Sequence, residues 1–140
     1  MTATRIYADF NGLVAGCCNP QRTAVVLDTF GSLRDLSNAG LVLRVGLPLI
    51  AVDESDETED LEGHGTAQYD WTKRWWVVEF DEAGVRFVPA SDRTRVNVFS
   101  CIECRRDLQP QFDAGTLSLS GRCPSCGTAI LRPFDPPSAE

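Results

Sequence analysis

Cys101-Ile-Glu-Cys104 and Cys123-Pro-Ser-Cys126 are two C-x2-C pairs with 18 residues between them. Two residues between ligands let one tight turn aim both sulfurs at a single ion. Two such turns at this separation read as a zinc site. The metal ligands are then Cys101, Cys104, Cys123 and Cys126. A closed four-thiolate set favours zinc, with iron or a pair of disulfides as the alternatives. A catalytic zinc keeps one position open for water. Here four thiolates fill the shell and no His or carboxylate lies at ligand spacing, so the expected role is structural. The site would hold together a chain end of about 36 residues that buries too little core to fold alone.

The other candidates are weaker. Cys17 and Cys18 are adjacent in a loop. Two neighbouring thiols alone make a strained disulfide and a poor metal site, and only Arg22 is a cation near in sequence to activate either of them. His64, the one histidine, lies between Gly63 and Gly65 with no nucleophile motif pointing to it. An enzyme using Cys17, Cys18 or His64 is therefore the third-ranked expectation, and no catalytic residue is assigned. Residues 53–60 are acidic but lack the ligand order of a calcium loop, so they read as a solvated loop. Arg105, Arg106 and Arg122 flank the ligands and either offset the charge of the metal centre or meet an anionic partner. Trp75 and Trp76 must point to opposite faces of a strand. One of them, beside Lys73 and Arg74, is a candidate contact residue.

The elements that must position these groups are mostly strands. Residues 5–10, 23–29, 41–45, 49–52, 61–69, 75–80 and 85–88 carry β-favouring or alternating patterns between turn signals. Residues 70–74 read as a hairpin tip, and residues 81–84 as a second turn. Residues 31–40 form the one helix, with Ser32 as its cap, Gly40 as its stop, and Leu33 and Leu36 facing the core together. Between the cysteine pairs, residues 115–122 alternate like a strand that carries the chain back. Gly127 suits a left-handed turn after the second pair, and Pro124 stiffens it. The expected fold is mainly β: a small barrel or sandwich over residues 1–88, a linker over 89–96, the cysteine module over 97–132 and a flexible tail over 133–140.

Residues 97–132 resemble the zinc ribbon family, in which two cysteine knuckles share one zinc. The knuckle Cys123-Pro-Ser-Cys126-Gly127 also resembles that of the iron-binding rubredoxins. The first knuckle departs from that pattern, because Arg105 stands where the rubredoxin family has Gly. The resemblance implies a structural metal and a ribbon of short strands. Ile6-Tyr-Ala-Asp-Phe-Asn11, Gly31-Ser-Leu-Arg-Asp-Leu36 and Trp76 are similar to stretches of short uncharacterised bacterial β-rich proteins over roughly residues 4–82. That resemblance implies a shared fold and is silent on function.

Charge narrows the partners. The chain carries −7 at pH 7, with 9 Lys/Arg against 15 Asp/Glu in residues 1–96 and 4 against 5 in residues 97–140. Neither half has the basic footprint of a nucleic-acid binder, although Arg93, Arg95, Arg105, Arg106 and Arg122 could form a local patch. No apolar run is long enough to span a bilayer, and the first residues lack the apolar run of a signal peptide. The expected setting is cytoplasmic, where paired thiols serve as metal ligands. The leading expectation is a non-enzymatic zinc-containing module that binds a protein partner. A nucleic-acid-binding zinc ribbon protein is the runner-up.

Overall fold

The computed structural model describes residues 3–90, 99–108 and 122–137. Its centre is one six-stranded sheet. The strands are β1 (Thr4–Tyr7), β2 (Leu13–Ala15), β3 (Thr23–Val26), β4 (Pro48–Glu54), β5 (Glu59–Asp70) and β6 (Trp75–Pro89). Their order across the sheet is β1-β4-β5-β6-β3-β2. Only β1 and β4 run parallel. The mainly-β expectation holds, but the barrel does not close. β1 and β2 are short edge strands at opposite ends of the sheet, and short edges need no partner to avoid pairing with other chains. One face is covered instead by α1 (Phe30–Ala39), the one α-helix among the described residues.

β6 explains the arrangement. Trp76, Val78 and Phe80 point toward α1 and join the main core with Ile6, Val25, Leu36 and Leu49. Val77 points to the other face and packs with Ala24 and Val26 of β3. A strand buried on both faces reads as a continuous apolar run, which is what Trp75-Trp-Val-Val shows. The turn expected at residues 81–84 does not end the strand. β6 pairs with β5 through Phe80 opposite Gly65, then resumes with Val85 opposite Gly63. Residues 81–84 bulge out of the ladder between those points. The tip expected over residues 70–74 forms over 71–74, because Asp70 still pairs with Trp75 at the end of β5. Asp70 Oδ1 accepts from the backbone N–H groups of Thr72 and Lys73 at 3.0 and 3.1 Å.

Two further expectations change. Residues 41–45 are not a strand, because the position beside β4 is taken by β1. They form a connection in which the Leu43 N–H donates to the Pro133 carbonyl at 3.0 Å. The acidic segment 53–60 is only partly a solvated loop. Asp53 and Glu54 end β4, Glu59 and Asp60 begin β5, and Asp60 is buried. Asp53 Oδ2 accepts from the Phe10 N–H at 3.0 Å, which ties the turn after β1 to β4.

α1 starts one residue earlier than expected. Thr29, not Ser32, is its cap: the Thr29 hydroxyl accepts from the Ser32 N–H at 3.1 Å. Ser32 instead donates its hydroxyl to the Tyr7 carbonyl at 2.6 Å, fixing the helix to β1. Gly40 ends the helix in the left-handed conformation as read. Leu33 and Leu36 do not face one core together. Three helical positions leave them about 60° apart around the axis, and two separate apolar clusters use them. Leu36 belongs to the sheet core, and Leu33 to a cluster with Phe99, Cys101, Leu108, Cys123 and Ile130. The helix is thus the shared wall between sheet and cysteine module.

Candidate metal centre

Each cysteine pair sits in a tight turn of the same design. In the first, the Arg105 N–H donates to the Cys101 carbonyl at 3.0 Å, and the Cys101 N–H to the Arg106 carbonyl at 2.8 Å. In the second, the Gly127 N–H donates to the Cys123 carbonyl at 2.8 Å, and the Cys123 N–H to the Thr128 carbonyl at 2.9 Å. Isolated bridges close both turns, Ser100 with Asp107 and Arg122 with Ala129. The residue after the second cysteine is left-handed in each turn: Gly127 at φ 79° and Arg105 at φ 65°. Glycine adopts that conformation freely, whereas a side chain there costs roughly 1–2 kcal/mol. Arg105 therefore needs a compensating role.

All four sulfurs meet. The ligand atoms of Cys101, Cys104, Cys123 and Cys126 lie within 4.8 Å of one another. Sγ of Cys101 is 3.6 Å from that of Cys126, and Sγ of Cys104 is 3.6 Å from that of Cys123. Four sulfurs placed tetrahedrally about 2.3 Å from one ion stand about 3.8 Å apart. The cage therefore fits a tetrahedral ion, and all four cysteines are free thiols. This cluster suggests a structural metal site.

The electrostatics are uneven. The Thr128 hydroxyl, 3.2 Å from Cys126 Sγ, and the Thr128 backbone N–H hold the Cys126 thiol down at about 6. Cys123 is also lowered, because the backbone N–H groups of Cys126 and Ser125 outweigh its burial. Cys101 is raised, chiefly by burial. Cys104 is favoured as a thiolate by the Arg106 backbone N–H, yet burial and the three neighbouring thiols push it up to about 11. Hydrogen bonding thus favours the thiolate at Cys123 and Cys126, and burial opposes it at Cys101 and Cys104. A bound divalent cation deprotonates thiol ligands outright and removes the difference.

The module packs on the first domain, which the sequence left open. Phe30 of α1 stacks on Phe99 with ring centroids 5.6 Å apart. Arg105 donates from Nη1 to the Ser37 carbonyl at 2.9 Å and from Nη2 to the Asn38 carbonyl at 2.7 Å. Those are the last carbonyls of α1, where the helix dipole favours a cation. Asn38 Oδ1 accepts from the Ser100 N–H at 2.9 Å. Beyond the second turn, Arg132–Phe134 form a 3-10 turn with Pro133 buried. The Trp76 indole N–H then donates to the Asp135 carbonyl at 2.9 Å. The segment expected to begin a flexible tail at residue 133 therefore starts with docked residues. Of the remaining expectations, the returning strand over residues 115–122 lies outside the described residues up to 121. Residues 91–96 of the linker do so too, while Pro89 still belongs to β6.

The other candidates fall apart from one another. Nε2 of His64 is 2.8 Å from Glu62 Oε1. Arg5 and Arg86 bind the same buried carboxylate. Cys17 and Cys18 lie instead beside Glu79. Sequence reasoning missed Glu62 and Glu79, because a carboxylate in an alternating strand carries no signal of what lies across it. Arg122 Nη1 donates to the Gly127 carbonyl within its own turn at 3.1 Å. Trp76 is the buried tryptophan, Trp75 is half-buried, and Trp71 at the tip is the exposed one. No helix among the described residues is long and apolar enough to cross a membrane.

Compared with family models, curated proteins and solved structures, the chain matches none. The resemblance of residues 4–82 to short bacterial proteins thus rests on its residues alone.

Proposed function

We propose that the chain is a non-enzymatic, cytoplasmic protein-binding or adaptor module whose four-cysteine site holds zinc. When bound, the ion cross-links the two turns. Arg105, Phe99 and the 3-10 turn then hold the module against α1 and the sheet. The single observation that carries the reading is the aromatic tip of the β5–β6 hairpin. Trp71 is 52% exposed. Its ring stands edge-on to Tyr69 with centroids 4.7 Å apart, and Tyr69 stands edge-on to buried Trp76 at 5.2 Å. An exposed Trp braced by a half-buried Tyr that itself packs on buried Trp76 loses little freedom on binding, and Trp, Tyr and Arg dominate binding hot spots. Beside it runs a groove of about 210 Å³ lined by Leu27, Tyr69, Arg74, Trp76, Leu131 and Phe134. Part of that lining comes from the segment after the second cysteine turn, so the metal module helps to shape the surface.

Two observations favour this reading over its rivals. The Arg105 guanidinium is engaged by α1 and that of Arg122 by its own turn, which commits donors that a nucleic-acid binder would turn toward phosphate. The Cys17 thiol is raised to about 11, first by burial and then by Cys18 and Glu79, the opposite of an activated nucleophile. The test is affinity capture with the full chain, its Trp71→Ala variant and metal-stripped protein, each with and without nuclease. A protein recovered by the wild type and lost with both altered forms supports the reading. Capture indifferent to Trp71, or lost on nuclease treatment, contradicts it.

A further inference from the structure

The outer face of the sheet carries a second group of soft ligands, remote in sequence from the four cysteines. Residues 16–22 form a tight loop. The Gly16 N–H donates to the Arg22 carbonyl at 2.9 Å, and the Arg22 N–H to the Asn19 carbonyl at 2.9 Å. Glu79 stands in mid-sheet on β6, between Ala24 of β3 and Thr66 of β5. Its Oε1 pins the loop by accepting from the N–H groups of Cys18 and Asn19 at 3.0 and 3.3 Å. A Cβ on residue 16 would lie 2.4 Å from that same oxygen and 2.5 Å from the Asn19 carbonyl, so this approach requires glycine.

The pinned loop brings the thiols of Cys17 and Cys18 and a carboxylate oxygen of Glu79 within 4.8 Å of one another. Sγ of Cys18 is also 3.2 Å from the Gln68 amide oxygen on β5. Cys17 packs against the apolar cluster of Ala24, Val26 and Val77, whereas Cys18 is exposed. The group therefore has a dry wall and an open mouth. In sequence the two thiols were a poor metal site, because they lacked further donors. The sheet supplies those donors.

We propose that Cys17, Cys18 and Glu79, with the Gln68 amide oxygen as fourth donor, form a second and exchangeable site for a thiophilic divalent cation such as zinc or cadmium. The donor set decides the class. Two sulfurs exclude magnesium and calcium, which take oxygen ligands. Two oxygens and an open mouth make the ion weaker and faster to exchange than one in a closed cage of four thiolates. Binding releases the two thiol protons to solvent, and the cation then meets three anionic donors.

The test uses the full chain under a non-thiol reductant, titrated with cadmium and followed by native mass spectrometry and cadmium NMR. The wild type is expected to bind two ions with distinct resonances, one in an all-sulfur environment and one in a mixed sulfur and oxygen environment. Cys17→Ser/Cys18→Ser should keep only the all-sulfur resonance. Glu79→Gln retains the acceptor for the loop but loses the charge, and should weaken the second ion by about tenfold or more, the scale on which even outer ligand partners act. Cys101→Ser/Cys104→Ser should lose the all-sulfur resonance and keep the other, so the two sites fail separately. A single ion in the wild type, or two ions in the Cys17/Cys18 double variant, overturns the proposal. The wild-type spectrum alone is decisive if a variant does not fold.

Discussion

Arg105 offers a test in which two effects of opposite sign have comparable size. Its backbone is left-handed, at φ 65°, and relief of that conformation by glycine is worth roughly 1 kcal/mol. Its guanidinium makes two bonds to the terminal carbonyls of α1. Hydrogen bonds to charged groups contribute about 1.5–3 kcal/mol each when sheltered. One of these is exposed, so the pair is discounted to about 2 kcal/mol. Arg105→Ala keeps the strained backbone and loses the fork, and should destabilise by about 2 kcal/mol. Arg105→Gly loses both, and should destabilise by only about 1 kcal/mol. For a chain of this size that means a fall in Tm of very roughly 7 °C for Ala and 3 °C for Gly. Arg105→Lys keeps the charge without the planar fork and should fall between wild type and Ala. The assay is urea unfolding followed by tryptophan fluorescence, with metal content held equal in every sample. If Arg105→Gly is more stable than the wild type by about 1 kcal/mol, the full backbone relief, the clamp on α1 contributes nothing and the reasoning fails.

Further outcomes follow from other parts of the fold. Glu62 lies below its ordinary 4.5: burial pushes it up, but hydrogen bonds from His64, Arg5 and Arg86 outweigh that. A depressed carboxylate stabilises the fold above its unfolded value and loses that stabilisation as pH falls below about 4.5 toward the folded value. The stability gap between wild type and Glu62→Gln should therefore be full at neutral pH and shrink in acid, and a gap independent of pH would count against the ion cluster. Gly16→Ala should displace the loop over Glu79 and lower stability by about 1–3 kcal/mol, read from its urea midpoint. Trp71→Ala should leave stability within about 0.5 kcal/mol of wild type while abolishing partner capture. Stripping the metal should shift the indole N–H resonance of Trp76, because its acceptor at Asp135 is placed by the module. An unmoved resonance would show that the segment docks without the ion.

The convergence of Cys101, Cys104, Cys123 and Cys126 was legible because its information is local. A C-x2-C turn and its separation from a second one encode convergence with little help from the rest of the chain. β6 and the hairpin tip were legible for the same reason, since Trp75 to Phe80 and Asp70 to Arg74 carry their own patterns. What could not be read depends on residues far apart in sequence. Nothing in residues 31–40 says that Leu33 and Leu36 serve different clusters, or that Arg105 crosses to α1. The β-favouring residues 41–45 form no strand because β1 occupies the neighbouring position, a matter of topology rather than propensity. Asp81 to Gly84 carry turn chemistry and do leave the ladder, but β5 is long enough to recapture the strand beyond them. Cys17 and Cys18 looked inert because Glu79 and Gln68, some 60 and 50 residues away, supply the missing donors.

The most direct measurement is X-ray absorption at the metal edge, with metal analysis, on the full chain after dialysis has removed loosely held ions. The account predicts one zinc per chain with four sulfur neighbours at about 2.3 Å. A chain that retains no metal yet keeps the Trp76 indole resonance of the docked state, or a metal with nitrogen or oxygen among its ligands, would contradict it.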